Sequence, residues 1–132
     1  MSTTNNISKG VIWTSTILQA LVIAMFLMGA INNLLQTKMA VNDTVDLGYP
    51  EASVFYLGIF LLVATVLYTL PKTTFLGAIL LTGWLGGAVA THVIHQDPMT
   101  NIIFPVIFGI LVWFSIWLRK ASFKSVLPFT KK

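Results

Sequence analysis

Four long stretches of the sequence carry no charged side chain, and this feature most narrows the folds that the chain can adopt. They span residues 10–35, 52–70, 73–96 and 98–118. Each stretch is close to the ~20 residues that an apolar helix needs to cross the hydrocarbon core of a bilayer. The sequence therefore predicts four transmembrane helices, at about residues 10–31, 53–70, 73–92 and 102–118.

The composition also indicates a membrane protein. Hydrophobic residues make up 56% of the chain and charged residues only 9%, whereas a water-soluble domain carries about a quarter charged residues. The chain has no cysteine, which excludes a disulfide framework, a thiolate metal site and a dithiol redox centre. We expect one domain over residues 1–132. The net charge of +4 does not indicate a nucleic-acid partner, because the positions of the charges serve membrane topology.

The positions of lysine and arginine predict how the helices are oriented. Seven of the eight lie on one side of the predicted membrane, and only Lys38 lies on the other. By the positive-inside rule, both termini and the basic tail, residues 119–132, are cytoplasmic. The tight connection at Pro71 requires an antiparallel hairpin. We therefore predict an all-α membrane protein, an antiparallel up-down-up-down bundle of four transmembrane helices in the inner (cytoplasmic) membrane.

Three aromatic residues fall near the predicted inner ends of their helices: Trp13, Tyr68 and Trp117. Because amphipathic rings favour the level of the lipid headgroups, we expect these side chains at the inner membrane boundary. The basic tail mixes phenylalanine and leucine with lysine, and we expect it to lie on the inner membrane surface.

The third predicted helix has little side-chain volume in the stretch GWLGGAVATHVIHQD, residues 83–97. Helices in lipid associate through close packing at small residues, and a GxxxG step is typical of such a contact. The sequence predicts a helix-packing face made of Gly77, Gly83, Gly87 and Ala88. Packing within the chain is our interpretation, and a homodimer face is the alternative.

Polar side chains gather at the outer ends of all four predicted helices. Polar groups inside a membrane mark functional sites, so this layer predicts an outward-facing pocket with an apolar floor near Trp84. The alternative is that these polar side chains are simply solvated at the helix ends and form no pocket. The candidate ligand-binding residues are Asn32, Asn33, Glu51, Tyr56, Trp84, Thr91, His92 and Asn101.

The two histidines of the chain, His92 and His95, lie at neighbouring positions near the outer end of the third predicted helix. A metal site needs three or four ligands in a defined geometry. The nearby carboxylates have no diagnostic spacing, so we predict no metal site. We expect His92 to line the pocket with Glu51 as its partner, and His95 to be a solvated helix-end residue. The alternative is that both histidines are interfacial residues that cap the helix end.

Three segments carry a resemblance to a known family: LGYPE before the second predicted helix, LYTLPKTTFLGAILLTGWLGGAVATHV across the second hairpin, and PVIFGILVWFSIWLR before the basic tail. They resemble the DoxX-like family, whose members are small four-helix membrane proteins. The resemblance covers most of the chain, from about Leu27 to Pro128. Many relatives have a lysine where this chain reads GAINNLL, and Asn32 or Asn33 could only hydrogen-bond in its place.

The resemblance implies more than one function. The founding relatives are subunits of a thiosulfate:quinone oxidoreductase, and distant relatives are assembly chaperones or cargo receptors. The residues themselves offer no nucleophile beside a base, no paired carboxylates and no phosphate-binding loop.

We therefore expect a non-catalytic binding or accessory protein without an identifiable cofactor. Its outer pocket takes an apolar ligand or a helix of a membrane or periplasmic partner protein. One alternative is the membrane subunit of a quinone-linked oxidoreductase, with the quinone near Trp84 and His92. A second alternative is a membrane-protein assembly chaperone.

Overall fold

The computed structural model describes residues 8–118, and within this range the chain is all-α, with five helices and no strand. The helices are α1 (Lys9–Leu34), α2 (Lys38–Asp46), α3 (Ser53–Thr69), α4 (Thr74–Ile94) and α5 (Met99–Trp117). Among them, α1, α4 and α5 are long and apolar enough to cross a membrane, and α3 is a shorter apolar helix of 17 residues. The predictions for the basic tail fall outside the described residues.

The helices α1, α3, α4 and α5, which we call the four long helices, pack side by side, and each packs against two of the other three. Both α1 and α4 pack against α3 and against α5. One apolar core runs between them and includes Val22, Leu61, Leu81 and Ile116. Large apolar side chains also cover the outside, where Leu21 is 59% and Ile110 is 62% exposed. A surface of this kind suits a lipid solvent, in which apolar side chains need not be buried.

A buried polar network joins α1, α3 and α5. The hydroxyl of Tyr68 donates to the carbonyl of Val112 at 2.7 Å and lies 2.7 Å from the hydroxyl of Ser115. The hydroxyl of Ser15 donates to the carbonyl of Ser115, and Nε2 of Gln19 donates to the carbonyl of Tyr68 at 3.3 Å. The side chain of Tyr68 is fully buried and its hydroxyl bonds to α5, and its expected position at the inner membrane boundary stays a prediction.

Two glycines allow the backbones of neighbouring helices to come close. A Cβ added at Gly77 would lie 2.1 Å from the backbone nitrogen of Tyr68, so α4 can approach α3 only with glycine there. A Cβ added at Gly58 would lie 2.9 Å from Cβ of Asn33 on α1. The prediction that Gly77 packs against a neighbouring helix is therefore consistent with the structure, and Gly58 has the same role in α3.

The short helix α2 lies between the first two predicted transmembrane helices, where no helix was predicted. The hydroxyl of Thr37 caps it by accepting a hydrogen bond from the backbone N–H of Ala40 at 3.2 Å. Ala40 is also the one buried residue of α2. A helix with so little buried surface depends on its caps and its flanking turns for its position.

Candidate functional site

The helices α1, α2 and α4 end in the same kind of turn. Each turn places one residue in the left-handed region, with φ of 51° at Gln36, 97° at Gly48 and 62° at Gln96. The N–H of Gln96 bonds to the carbonyl of Val93, and the next N–H bonds to the carbonyl of His92. The other two turns repeat this pattern, which is a Schellman motif. These turns reverse the chain and position the residues that follow them, which are Thr37, Tyr49 and Asp97.

A cavity of about 360 Å³ lies at this end of the helices, bordered by α1, α3, α4 and the segment around α2. Its floor is apolar and contains Phe60 and Trp84, whose rings stack with centroids 6.1 Å apart and an interplanar angle of 17°. Polar side chains form its rim. The volume falls in the range of roughly 300–1,000 Å³ typical of small-molecule sites. The lining residues are Asn33, Thr44, Leu47, Tyr49, Leu57, Phe60, Gly83, Trp84, Gly87, Ala88, Thr91 and His92.

Gly83 and Gly87 form part of the wall of this cavity. A Cβ added at either position would meet no atom within 4 Å among the residues that the structure describes. The prediction that these two glycines pack against a neighbouring helix of the same chain is therefore wrong. Their missing side chains leave space for the cavity, which Ala88 also lines. The GxxxG spacing fits both roles, because it specifies only that one helix face lacks side chains.

Two hydroxyls connect the segment after α2 to α4 at the cavity rim. The hydroxyl of Thr91 donates to the carbonyl of Gly87 at 2.8 Å. Because its one hydrogen is used there, its oxygen accepts the hydrogen of the Tyr49 hydroxyl, 2.6 Å away. Sequence reasoning did not assign a role to Tyr49. The available signal was a tyrosine directly after Gly48, which is suited to a left-handed turn.

Asp97 bridges the two histidines at the end of α4. Its Oδ2 lies 2.6 Å from Nδ1 of His92, and its Oδ1 lies 2.9 Å from Nδ1 of His95. The expected pairing of His92 with Glu51 is wrong, because the turn at Gln96 brings Asp97 back onto α4. The side chain of His95 is 44% exposed, in agreement with a solvated helix-end residue. Within residues 8–118, no group of three or more His, Asp or Glu side chains is placed to hold a metal ion.

The bridge also changes the acidity of its members. Hydrogen bonds from His92 and then from His95 lower the pKa of Asp97 below its ordinary value. The hydrogen bond to Asp97, followed by its charge, raises the pKa of His95. The backbone and charge of Asp46, at the end of α2, add smaller contributions in the same direction. The end of α4 therefore interacts electrostatically with the end of α2.

Four of the eight residues predicted for the pocket line this cavity, and four do not. Those that line it are Asn33, Trp84, Thr91 and His92. Those that the structure places elsewhere are Asn32, Glu51, Tyr56 and Asn101. The lining residues that sequence reasoning missed lie on α3 or in the segment around α2: Thr44, Leu47, Tyr49, Leu57 and Phe60.

The model of the DoxX-like family matches residues 17–115, about three quarters of the chain. The matched range includes all the residues that line the cavity. Comparison with curated proteins and with solved structures gives no match.

Proposed function

The chain belongs to the DoxX-like family of membrane proteins, and we propose that it binds an apolar small molecule in the cavity described above. The observation that carries this proposal is the wall of the cavity. Gly83 and Gly87 leave open space beside the stacked rings of Phe60 and Trp84. An apolar floor with a few polar groups at the rim is the usual form of a small-molecule site.

In this proposal the four long helices form an antiparallel bundle and all cross the inner membrane, with both termini in the cytoplasm. The 17 residues of α3 span about 26 Å at 1.5 Å per residue, close to the hydrocarbon thickness of ~30 Å. Its packing against α1 and α4, both long enough to span, supports the same placement. The cavity then faces outward, on the side opposite seven of the eight Lys and Arg residues.

The proposed role is non-catalytic. The hydroxyl of Thr91 gives its hydrogen to Gly87 and accepts one from Tyr49, so it is not held beside His92 as a nucleophile next to a base would be. These polar groups hold the rim in position around the cavity. Such an arrangement supports holding a ligand, or the apolar helix of a partner protein, better than it supports attack on a substrate.

The test compares two leucine substitutions on α4, Gly87→Leu and Gly86→Leu. Both glycines are exposed, and an added Cβ meets nothing within 4 Å at either, but only Gly87 lines the cavity. Each protein is purified in mild detergent, and its extracted small molecules are identified by mass spectrometry. We expect the wild type and Gly86→Leu to carry the same apolar molecule and Gly87→Leu to lose it. Equal retention by all three proteins would contradict the proposal.

The same extracts distinguish the alternative functions. An isoprenoid quinone that Gly87→Leu loses would favour the membrane subunit of a quinone-linked oxidoreductase. A copurifying membrane or periplasmic protein that only Gly87→Leu loses would favour a partner helix in the cavity, as expected for an accessory protein or an assembly chaperone.

A further inference from the structure

Asp97 determines which nitrogen of His92 carries a hydrogen. An ionised carboxylate only accepts hydrogen bonds, and Asp97 lies 2.6 Å from Nδ1 of His92 and 2.9 Å from Nδ1 of His95. Each Nδ1 therefore carries a hydrogen. In the neutral imidazole of His92 the lone pair is then on Nε2. Carboxylates fix the tautomer of metal-binding and catalytic histidines in the same way.

The Nε2 lone pair of His92 belongs to a residue that lines the cavity. His92 lines the cavity and Asp97 does not. Because Nδ1 is bonded to Asp97, Nε2 is the ring nitrogen of His92 that is left for a ligand in the cavity. No described residue donates a hydrogen bond to Nε2 of His92. The ring is bonded to the protein through Nδ1. Nε2 is therefore an acceptor that a bound ligand can use.

The other polar groups at the rim add more acceptors than donors. The hydrogen of Thr91 is given to the carbonyl of Gly87, and the hydrogen of Tyr49 is given to Thr91. Both hydroxyls can therefore offer only lone pairs to a ligand. Asn33 and Thr44, which also line the cavity, each have a donor and an acceptor and do not discriminate. Together with Nε2 of His92, these lone pairs favour a ligand whose head group donates a hydrogen bond.

Charge narrows the ligand class further. None of the side chains that line the cavity is a carboxylate, an ammonium or a guanidinium group. A charged head group would therefore be buried without a counterion, at a high cost in free energy. An anionic head group would also meet the negative potential of the four carboxylates of the chain, which all lie near the outer helix ends: Asp43, Asp46, Glu51 and Asp97.

We propose that the cavity selects an uncharged amphiphile whose head group donates a hydrogen bond, such as an alcohol, and that Nε2 of His92 accepts this bond. The apolar part of the molecule then lies on Phe60 and Trp84. This assignment rests on the proposed function, since it specifies the ligand of the same cavity.

The first test compares matched probes with the full chain in lipid nanodiscs in a mildly alkaline buffer. The probes are dodecanol, its methyl ether, dodecanoate and dodecane, and binding is followed by titration of the Trp84 indole resonance. We expect dodecanol to bind about tenfold more tightly than the ether, because the ether leaves the buried acceptor unpaired. Dodecanoate is expected to bind more weakly than dodecanol. Equal affinity for dodecanol and its ether would overturn the assignment.

A matched pair of variants shows whether His92 is the acceptor. His92→Phe keeps a flat ring and removes the nitrogen, so the alcohol-to-ether affinity ratio should fall to about one while ether affinity stays within about twofold. His95→Phe leaves the bond between Asp97 and His92 in place and should keep the wild-type ratio. A wild-type ratio in His92→Phe would overturn the assignment.

A spectroscopic readout follows the tautomer directly. The chain contains two histidines, so a nitrogen-15 spectrum of labelled histidine is readily assigned with His95→Phe. We expect His92 to carry its hydrogen on Nδ1, and its Nε2 resonance to shift on adding dodecanol but not on adding the ether. A hydrogen on Nε2 of neutral His92 would overturn the assignment.

These outcomes separate this assignment from the proposed function. If the ether and dodecane bind as well as dodecanol, the cavity is a ligand site and only the head-group assignment fails. If none of the probes binds to the wild type and Gly87→Leu behaves identically, the proposed function fails, and the head-group assignment fails with it.

Discussion

The two halves of this molecule use glycine for opposite purposes. In the half that contains the connection from α3 to α4, which we call the packed half, Gly77 lets α4 approach α3 until an added Cβ would lie 2.1 Å from a backbone nitrogen. In the half that contains the cavity, Gly83 and Gly87 face open space. Helices in lipid are held together by close packing and hydrogen bonds rather than by burial of apolar surface. A cavity in one half is therefore compatible with a stable fold because the other half is closely packed.

The two halves also use tyrosine differently. Tyr68 is fully buried, and its hydroxyl joins α3 to α5. Tyr49 is half-buried, and its hydroxyl joins the segment after α2 to Thr91 on α4. The first contact holds two long helices together, whereas the second holds the cavity rim. Stability and ligand binding should therefore respond to different substitutions.

Gly77→Ala should have the largest effect on stability. The new methyl group would overlap the backbone of Tyr68, and the two helices would have to separate, at a cost of about 3 kcal/mol or more in the free energy of unfolding. Thermal unfolding in detergent measures this change, with Gly86→Ala as the control because an added Cβ meets nothing there. Equal melting temperatures for the two variants would show that the close approach is not required.

Tyr68→Phe should have a smaller effect in the same half. It removes the hydroxyl that bonds to Val112 and Ser115 but keeps the packed ring. We expect a loss of about 1–2 kcal/mol, as for other buried or interhelical hydrogen bonds. Chemical unfolding in detergent measures it. A variant as stable as the wild type would mean that close packing alone stabilises the packed half.

Tyr49→Phe should leave overall stability within about 1 kcal/mol of the wild type. Its effect should be local, because Tyr49 joins a loop segment, rather than a long helix, to Thr91. We expect faster amide hydrogen exchange at residues 47–49 and in α2, with unchanged exchange in α3. Faster exchange in α3 as well would mean that the cavity rim and the packed half do not unfold independently.

The smallest expected effect is that of pH on the Asp97 bridge. Because the pKa of His95 is raised in the folded protein, protonated His95 stabilises the fold. This stabilisation is complete below pH 6.5, the ordinary pKa of histidine, and is lost as the pH rises through the raised pKa. Because the pKa of Asp97 is lowered in the folded protein, ionised Asp97 stabilises the fold. This stabilisation is present above pH 3.8, the ordinary pKa of aspartate, and is lost as the pH falls through the lowered pKa.

The ends of α2 and α4 should therefore be most ordered between pH 3.8 and pH 6.5, where both contributions are present. A proton titration of His95 by NMR checks this, with Asp97→Asn as the variant that removes the charged partner. We expect a His95 pKa above 6.5 in the wild type and a lower one in Asp97→Asn. The same value in both proteins would contradict the bridge as the cause of the shift.

The positions of the long helices could be predicted from the sequence. The predicted segments 10–31 and 73–92 correspond to Lys9–Leu34 and Thr74–Ile94, because an uninterrupted apolar segment has few alternatives to a helix in lipid. The helix α2 was missed because nine residues of mixed polarity give no long apolar pattern. Its signal was Thr37, a helix-capping residue type, two residues before the apolar pair Met39 and Ala40.

The candidate site was predicted only in part, for two physical reasons. The absence of a side chain at Gly83 or Gly87 is equally suited to a helix contact and to a cavity, so the sequence alone does not decide between them. The partner of His92 depends on the left-handed turn at Gln96. Glutamine rarely adopts that conformation, and nothing in the local sequence indicates that Asp97 turns back onto α4.

The open positions at Gly83 and Gly87 have a consequence for how variation in this family can be interpreted. A Cβ added there meets no atom within 4 Å among the described residues, so alanine at either position should reduce the cavity without lowering thermal stability. Screens that score folding would classify such changes as neutral, although under the proposed function they would weaken ligand binding. Under that proposal, the residues that relatives carry at these two positions would gauge the size of the molecule that each protein holds, independently of how stable each protein is.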